Sequence, residues 1–397
     1  MSEEYGIVSA RKVYLVAGKR TPFGRFGGGL AKKTPVDLAQ ECAQATLESI
    51  NLLPKLIDHV IFANVVPSST DTLYAGRHLG LRVGAPITTP AYNVNRLCGS
   101  GIQVILDANK LIKFQEAECV LVSGSENMSM TPHLTYGGRF GTKYGNLKSV
   151  DMLLDALTDQ HCQTSMGITA ENLAKEFSIG RELSDEYSFN SHKKCQQAYE
   201  QGFFDDEIIP VQAHKKNIIK DEHLRSDISL AQMQALPATF QKNGVVTAGS
   251  ASGVVDGAAA AIIASEEFCL RNKLTPLAEI IDGTVVGVEP TLMGIGPSPA
   301  IKLLLERNKM GLDDINLVEI NEAFAPQILA CAKDLNLSLE KTNIWGGAIA
   351  MGHPLGTTGV RISLTLARQL KQTAGTYGIA SACIGGGQGI SLLLKSC

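Results

Sequence analysis

The feature that most constrains this chain is its likeness to itself. Ile57-Asp58-His59-Val60-Ile61 resembles Ile315-Asn316-Leu317-Val318-Glu319, and the same displacement carries Gly101 onto Gly359. Each glycine opens a run with helical spacing of apolar residues: Ile102, Ile105, Ala108, Leu111 and Ile112 after the first, Ile362, Leu366 and Leu370 after the second. Each copy then closes on an apolar strand, residues 119–123 and 378–382. Two generic βαβ units would also look alike, but the sustained offset favours a duplicated α/β unit with pseudo-twofold symmetry. Equivalent strand-to-helix loops of the two copies would then converge at the C-terminal ends of their strands.

The rest of the chain fits around these copies. Residues 13–17 read as a first strand, 24–29 as a glycine-rich loop, 36–50 as a helix and 60–65 as a second strand. A further helix starts within 71–79, and 91–94 is extended. Strands alternating with helices predict βαβ units and a mostly parallel sheet with covered faces. From 126 to about 246 the texture becomes more polar, with helical runs at 169–177 and 186–199, and reads as an inserted excursion. The α/β texture resumes at Gly253, with 258–264 as a buried strand.

Composition narrows the function classes. The 397 residues are 44% hydrophobic and 19% charged, with a net charge of -3, so a nucleic acid or an anionic surface is not indicated by overall charge. No apolar run reaches the roughly 18 residues of a membrane-spanning helix. The nine cysteines are scattered without a C-x-x-C pair, which argues against a disulfide framework and a structural metal site, and for a reducing compartment. The N-terminal stretch shows no signal-peptide core, its early acids Glu3 and Glu4 fit poorly with a cleavable mitochondrial presequence, and Lys395-Ser396-Cys397 is not a peroxisomal signal.

Four stretches place chemistry-bearing side chains at strand ends. In Asn95-Arg96-Leu97-Cys98-Gly99-Ser100-Gly101 a cysteine stands where an extended run meets a helix. A helix N-terminus favours thiolate, and the flanking glycines allow close approach of a ligand. Asn321-Glu322-Ala323-Phe324 follows the strand 317–320, Gly346 to Gly356 holds His353 before a helix, and Cys383 to Gly389 follows a strand. Singly, each has an ordinary reading: Cys98 and Cys383 as buried small residues, His353 as a turn residue before proline, Asn321 as a helix cap. Together they fit acyl transfer through a thioester. Cys98 is the nucleophile, histidine the base that titrates near neutrality, backbone N–H groups near Cys98 and Gly385 the oxyanion donors, and Cys383 a second acid/base for carbon.

In order and spacing these four motifs resemble those of the thiolase family over essentially the whole chain. Arg20-Thr21-Pro22-Phe23-Gly24, Arg139-Phe140-Gly141-Thr142-Lys143 and Leu157-Thr158-Asp159-Gln160-His161 resemble the mitochondrial 3-ketoacyl-CoA branch, which acts in fatty-acid β-oxidation. The resemblance implies a duplicated, five-layered αβαβα fold of the α/β class with an inserted loop domain. It divides the chain into an N-terminal half (1–125 plus 248–272), a loop domain over the coenzyme A (126–247) and a C-terminal half (273–397). It implies ping-pong cleavage of 3-ketoacyl-CoA by CoA through acyl-Cys98, with His353 and Cys383 moving protons. One oxyanion pocket is expected at the Cys98 and Gly385 N–H groups, the other at His353 and a water held by Asn321.

The same resemblance places the coenzyme against Arg225 at its nucleotide end and against Met166, Phe240, Ala248, Gly249 and Ser252 along the pantetheine arm, with Met293 lining the acyl pocket. Coenzyme A is a co-substrate, with no permanently bound cofactor and no metal. A homodimer or a homotetramer of two dimers is expected, with no nucleic-acid partner and no transmembrane segment. The mitochondrial matrix is the expected compartment, the cytosol its alternative. Ser165 departs from the acetoacetyl-CoA thiolases, which carry histidine before this Met-Gly, and argues against the alternative of condensing two acetyl-CoA molecules. A decarboxylating ketoacyl synthase or a cysteine hydrolase would not require Cys383, and a silent lipid-binding protein would not require the set.

Overall fold

The computed structural model describes residues 11–213 and 217–397; the acids Glu3 and Glu4 lie outside them. The main elements are β1 (Val13–Arg20), α1 (Pro35–Ser49), β2 (His59–Ala63), α2 (Ala75–Val83), β3 (Ala91–Val94), α3 (Ser100–Lys113) and β4 (Cys119–Asn127). The excursion carries β5 (His133–Thr135), β6 (Ser149–Asp151), α4 (Met152–Ala156), β7 (Thr158–Asp159), β8 (Thr164–Ser165), α5 (Met166–Glu176), α6 (Arg181–Glu200), β9 (Val211–Gln212), β10 (Asn217–Ile218) and α7 (Leu230–Gln234). The chain ends with β11 (Val255–Ser265), α8 (Glu266–Asn272), β12 (Ala278–Gly287), α9 (Pro297–Asn308), β13 (Leu317–Ile320), α10 (Ala325–Leu335), α11 (Ala348–Met351), α12 (Leu355–Thr373), β14 (Tyr377–Ile384) and β15 (Gln388–Ser396).

Local chemistry sets several of these boundaries. Thr34 and Asp37 form a reciprocal capping box at the start of α1, with Pro35 as its first residue. Asp151 caps α4, Ser165 caps α5 and Ser265 caps α8, each accepting a backbone N–H of the helix it begins.

The duplication is visible in the sheet. One half runs β3-β2-β4-β11-β1 and the other β13-β14-β15-β12, in the same relative order. Thr342 makes a parallel bridge to Val318 where the first half has β3 beside β2. The halves join through β1 and β12, which pair antiparallel at Tyr14–Glu279 and Leu15–Ala278.

Helices α3 and α12 lie between the two half-sheets. Ile102, Ile105, Val360, Ile362 and Leu366 share one core with Leu15, Val122 and Ile263 of the first half and Ala380, Ile390 and Leu392 of the second. Outside, α1, α2 and α8 cover the first half through Val36, Leu47, Leu79 and Phe268. Helices α9 and α10 cover the second through Ile301, Leu304 and Ile328. The order is helix, sheet, helix, sheet, helix: five layers.

One expectation needs correction. The sheet is mixed, not mostly parallel: β2–β3, β2–β4 and β13–β14 are parallel, whereas β4–β11, β1–β11, β1–β12, β12–β15 and β14–β15 are antiparallel. Only the early strands of each half are linked by helices. β14 turns straight into β15 through Gly385-Gly386-Gly387, with φ of 81° at both Gly386 and Gly387, a hairpin that forces antiparallel pairing. The glycines beside Cys98 also serve packing. A Cβ on Gly99 would lie 2.5 Å from Ile384 Cδ1, and one on Gly101 2.6 Å from the Val360 nitrogen. Gly101 and Gly359 meet at the crossing of α3 and α12, so the sequence repeat is also a contact.

The excursion is tied to β1 by charge. Arg20, fully buried, donates to Glu207 at 2.6 Å and to Asp221 at 2.7 Å, and both carboxylates are buried. Among the described residues no helix is long and apolar enough to cross a membrane.

Candidate active site

Cys98 sits on a strained turn. Leu97 before it has φ of 46°, a left-handed value for a branched apolar residue, and Arg96 bridges to Cys98 across the turn. Ser100 holds this turn by accepting from the Arg96 N–H and donating to the Leu97 carbonyl. The cysteine stands one residue before Gly99, the cap of α3, and is half-buried. It packs with Leu97, Met152, Leu153 and Ala156 around Val65, Val66, Met128 and Leu355.

The expected thiolate is not the resting form. Burial pushes the Cys98 thiol up to about 11, against the N–H groups of Gly385 and of Cys98 itself, which hydrogen-bond the sulfur and favour the charged form. Those two N–H groups are the pair expected to form an oxyanion pocket, and the structure does bring Gly385 to Cys98.

His353 follows α11 and precedes α12, and its backbone N–H donates to the Gly253 carbonyl at 2.9 Å. Its ring is held on both sides. Nδ1 lies 2.6 Å from Thr358 Oγ1, and the Thr358 hydroxyl gives its one proton to the Pro354 carbonyl at 3.1 Å. Nδ1 therefore donates to threonine, and the neutral ring leaves Nε2 bare. Nε2 is 3.3 Å from Asn321 Nδ2, which donates to it, leaving Asn321 Oδ1 buried and without a protein donor among the described residues. Burial, and then the charge of Arg361, push His353 down to about 3, so the imidazole is neutral throughout the physiological range.

Cys383 is the penultimate residue of β14, 1% exposed, and packs with Met293, Ala323, Phe324 and Met166. Burial first, and then the neighbouring Cys98, hold its thiol protonated. The four predicted catalytic side chains, from both halves, meet together with Gly385: Asn321 lies against His353, the Gly385 N–H reaches Cys98, and Cys98 neighbours Cys383; His353 alone departs from the expected strand end, standing between two helices.

Sequence reasoning missed two buried carboxylates that grip the His353 loop. Glu322 accepts from Ile349 N–H, Tyr187, Ser191 and Asn343 at one end. At the other end Glu126 accepts from Gly356, Val65 and Val66 N–H groups and from Asn64. Burial pushes Glu126 up to about 7 against those donors. Glu322 adjoins Asn321, and Glu126 is a charge near the end of an otherwise uncharged buried strand. That is the signal that could have found both.

The predicted coenzyme residues form a track away from Cys98. Met166 opens α5, with its sulfur 3.2 Å from where a Cβ on Gly385 would lie. Phe240 covers Gly167 and meets Phe324 edge-on at 6.0 Å. Ser252 donates its N–H to the Ala323 carbonyl, and Gly249, beside Ala248, abuts Leu236. Leu236 lines a cleft of about 200 Å³ with Arg225, Asp227, Ile228 and Gln232. Arg225 is exposed there, and its N–H donates to His192 Nδ1. Met293 lies beside Cys383 in the buried cluster.

Comparison with known proteins gives the same answer as this geometry. Residues 13–267 match the thiolase N-terminal domain and residues 274–396 the thiolase C-terminal domain. The human mitochondrial 3-ketoacyl-CoA thiolase is 48% identical over 97% of this chain and 98% of its own length. A crystal structure of that human enzyme in complex with CoA superposes with a TM-score of 0.96, at 48% identity over 98% of each chain. An acetyl-CoA acetyltransferase of Cupriavidus necator is 40% identical over 96% of this chain and 99% of its own. This chain belongs to the thiolase family of acyltransferases.

Proposed function

We propose that this protein is a 3-ketoacyl-CoA thiolase that cleaves 3-ketoacyl-CoA with CoA into acetyl-CoA and a shortened acyl-CoA. One observation carries the reading: two protonated thiols and an unprotonated imidazole nitrogen, each on a different loop or strand end, lie together beside the Gly385 N–H. A hydrolase needs one thiol; making or breaking a carbon–carbon bond calls for a second proton carrier.

Cys98 attacks the 3-keto carbon while its proton passes to His353 Nε2. The oxyanion forms against the Gly385 and Cys98 N–H groups. The C2–C3 bond then breaks, its electron pair forms the enolate of acetyl-CoA, and Cys383 protonates C2. His353, with Asn321 Oδ1 holding a water, steadies the thioester oxygen of that enolate. In the second half, Cys383 thiolate takes the proton of the CoA thiol. CoA sulfur displaces Cys98 from the acyl group, and His353 returns the first proton to Cys98. Every charge is restored.

Coenzyme A is bound along the track from Arg225 through Phe240, Ala248, Gly249, Ser252 and Met166, under residues 126–247 acting as a covering domain between halves 1–125 plus 248–272 and 273–397. Fatty-acid β-oxidation is the proposed setting and a homodimer or homotetramer the proposed assembly; the mitochondrial matrix as compartment draws support from likeness to a relative named mitochondrial. The alternative is an acetoacetyl-CoA thiolase, in the cytosol or elsewhere.

Cys383→Ser tests the division of labour. The variant should still take an acyl label on the Cys98 peptide from acyl-CoA but lose cleavage by about 10²–10⁴-fold. Loss of labelling in a folded variant would overturn it. Thiolysis across chain lengths separates the two substrate readings: kcat/KM should rise from acetoacetyl-CoA to medium-chain substrates, about fourfold for each methylene that finds room. Ser165→His should return the preference to four carbons. The hydroxyl of Ser165 caps α5 at Ile168 N–H, so that variant also loses about 1 kcal/mol of stability. An enzyme that cleaves only acetoacetyl-CoA would favour the alternative.

A further inference from the structure

A cleft of about 460 Å³ lies apart from the acyl-transfer residues. It opens between the C-terminal ends of α1 and α12, beside β1 and the turn that follows α6. None of its lining belongs to the buried clusters that hold Cys98 and Cys383. The reaction described above makes no use of it.

Positive charge gathers there. Lys19, Arg368 and Lys371 line the cleft against one acid, Asp206. Arg368 is spent on the protein: it donates to the Gly18 and Asp206 carbonyls at 2.6 and 3.2 Å and lies 3.8 Å from the Glu207 carboxylate. Lys19 gives one N–H to the same Asp206 carbonyl at 2.6 Å, which leaves two. Among the described residues neither Lys19 nor Lys371 forms a salt bridge, and Lys371 is exposed. Burial, and then the charge of Arg368, pull the Lys19 ammonium below its ordinary value, although Asp206 and Glu207 act the other way. The cleft therefore holds more positive charge than its own acids offset, and an anion would relieve it.

The rest of the lining is mainly apolar: Val16, Ala17, Ile50, Leu277 and Phe203. Phe203 lies on Trp345 with ring centres 4.9 Å apart and planes 26° apart, and Trp345 is only 5% exposed. We propose that this cleft binds a medium-chain carboxylate, with the Lys19 and Lys371 ammonium groups on the carboxylate and the chain along the apolar lining. Sites for small molecules have this size and this make-up, mostly apolar with a few placed polar groups. Inorganic phosphate would use the charge and leave the apolar lining wet. A nucleotide would need a free ring face on which to stack its base, and Trp345, covered by Phe203, offers none.

Trp345 is the only tryptophan of the chain, so its fluorescence reports on this cleft. Titration of the whole protein with octanoate should give a saturable change, matched by calorimetry. From butanoate to octanoate the Kd should tighten about fourfold for each methylene. Acetate, inorganic phosphate, adenosine monophosphate and octanol should not bind over the same concentrations. Saturating octanoyl-CoA should not displace octanoate, which separates this cleft from the acyl-transfer site. Lys19→Gln with Lys371→Gln should weaken binding at least about tenfold. Lys371→Glu, which alters only an exposed side chain, should weaken it as well, and both variants should keep acyl-transfer activity. Octanoate that binds by neither method, octanol or adenosine monophosphate that binds as tightly, displacement by octanoyl-CoA, or unchanged affinity in Lys371→Glu would each overturn the proposal.

Discussion

At Cys98 two influences act in opposite directions. The N–H groups of Gly385 and Cys98 favour thiolate, and burial favours thiol; burial wins, with the group near 11. His353, near 3, cannot hold the proton in the resting state either. The site is thus two neutral partners, not a preformed ion pair, and the proton moves only as sulfur attacks carbon. Alkylation of Cys98 by iodoacetamide in the free enzyme should therefore rise steadily with pH toward about 11, without the plateau above neutrality that a depressed thiol gives. At pH 7 it should run roughly two orders of magnitude slower than an ordinary cysteine near 8.5. A plateau by pH 8 would show a resting thiolate and a different first step. Cys98, Asn321 and Cys383 were legible as strand-end residues, and His353 as a histidine in a glycine-rich loop. Thr358, which fixes the imidazole, and Glu126 and Glu322, which hold its loop, were not. Each acts through a contact between segments that no local spacing encodes.

The pairing of α3 with α12 shows how far the pattern reaches at the level of elements. The repeat was readable because Gly101 and Gly359 open equivalent helices, and the strands around them were placed within a few residues. Their meeting was not readable, because helical periodicity reports an apolar face and not what covers it. Nor was the antiparallel half of the sheet, which depends on the Gly386–Gly387 turn and on β11 entering after a long excursion. The crossing gives a sharp test. A Cβ on Gly359 would lie 2.1 Å from the Ile102 nitrogen and 2.5 Å from the Gly101 carbonyl carbon, so the helices must part. Backbone atoms cannot rotate away as a side chain does. Gly359→Ala should lose at least the 1–3 kcal/mol typical of overpacking, and a proportionate loss of acyl transfer should follow as the Cys98 and His353 loops separate. Gly138→Ala, whose nearest neighbour would be Thr135 Cγ2 at 3.7 Å, should leave the melting temperature nearly unchanged. Equal melting temperatures would mean that the crossing has slack.

Across the whole molecule, the price of closing five layers over polar groups is a set of ionisable side chains held neutral. Burial pushes His192 and His353 down to about 3 and His223 to about 4, with neighbouring cationic groups adding to the shift. It pushes Glu126 and Glu319 up to about 7 and Asp256 to about 6. The two sets pull stability in opposite directions. Below the ordinary histidine value near 6.5 the unfolded chain binds protons that the folded imidazoles refuse, so the histidines lose stability as pH falls. The raised carboxylates bind protons first in the folded state, so they gain stability as pH falls from about 7 to their unfolded values near 4. Three groups of each kind oppose one another between pH 6.5 and 4.5, where stability should be nearly flat. Below 4.5 the carboxylates are protonated in both states and contribute no further slope, while the histidines continue to their folded values. Glu118, held low by Arg271 and Arg11, and Glu267, held low by its own backbone N–H and Arg11, lose stability in the same range. Each unmatched proton is worth about 1.4 kcal/mol per pH unit, so the loss should steepen to about 4 kcal/mol per unit. Urea midpoints measured from pH 8 to pH 3 should therefore show a plateau ending near 4.5 and then a collapse. A steady decline beginning at 6.5 would mean that the buried carboxylates are already ionised partners and not the counterweight that holds the acid side level.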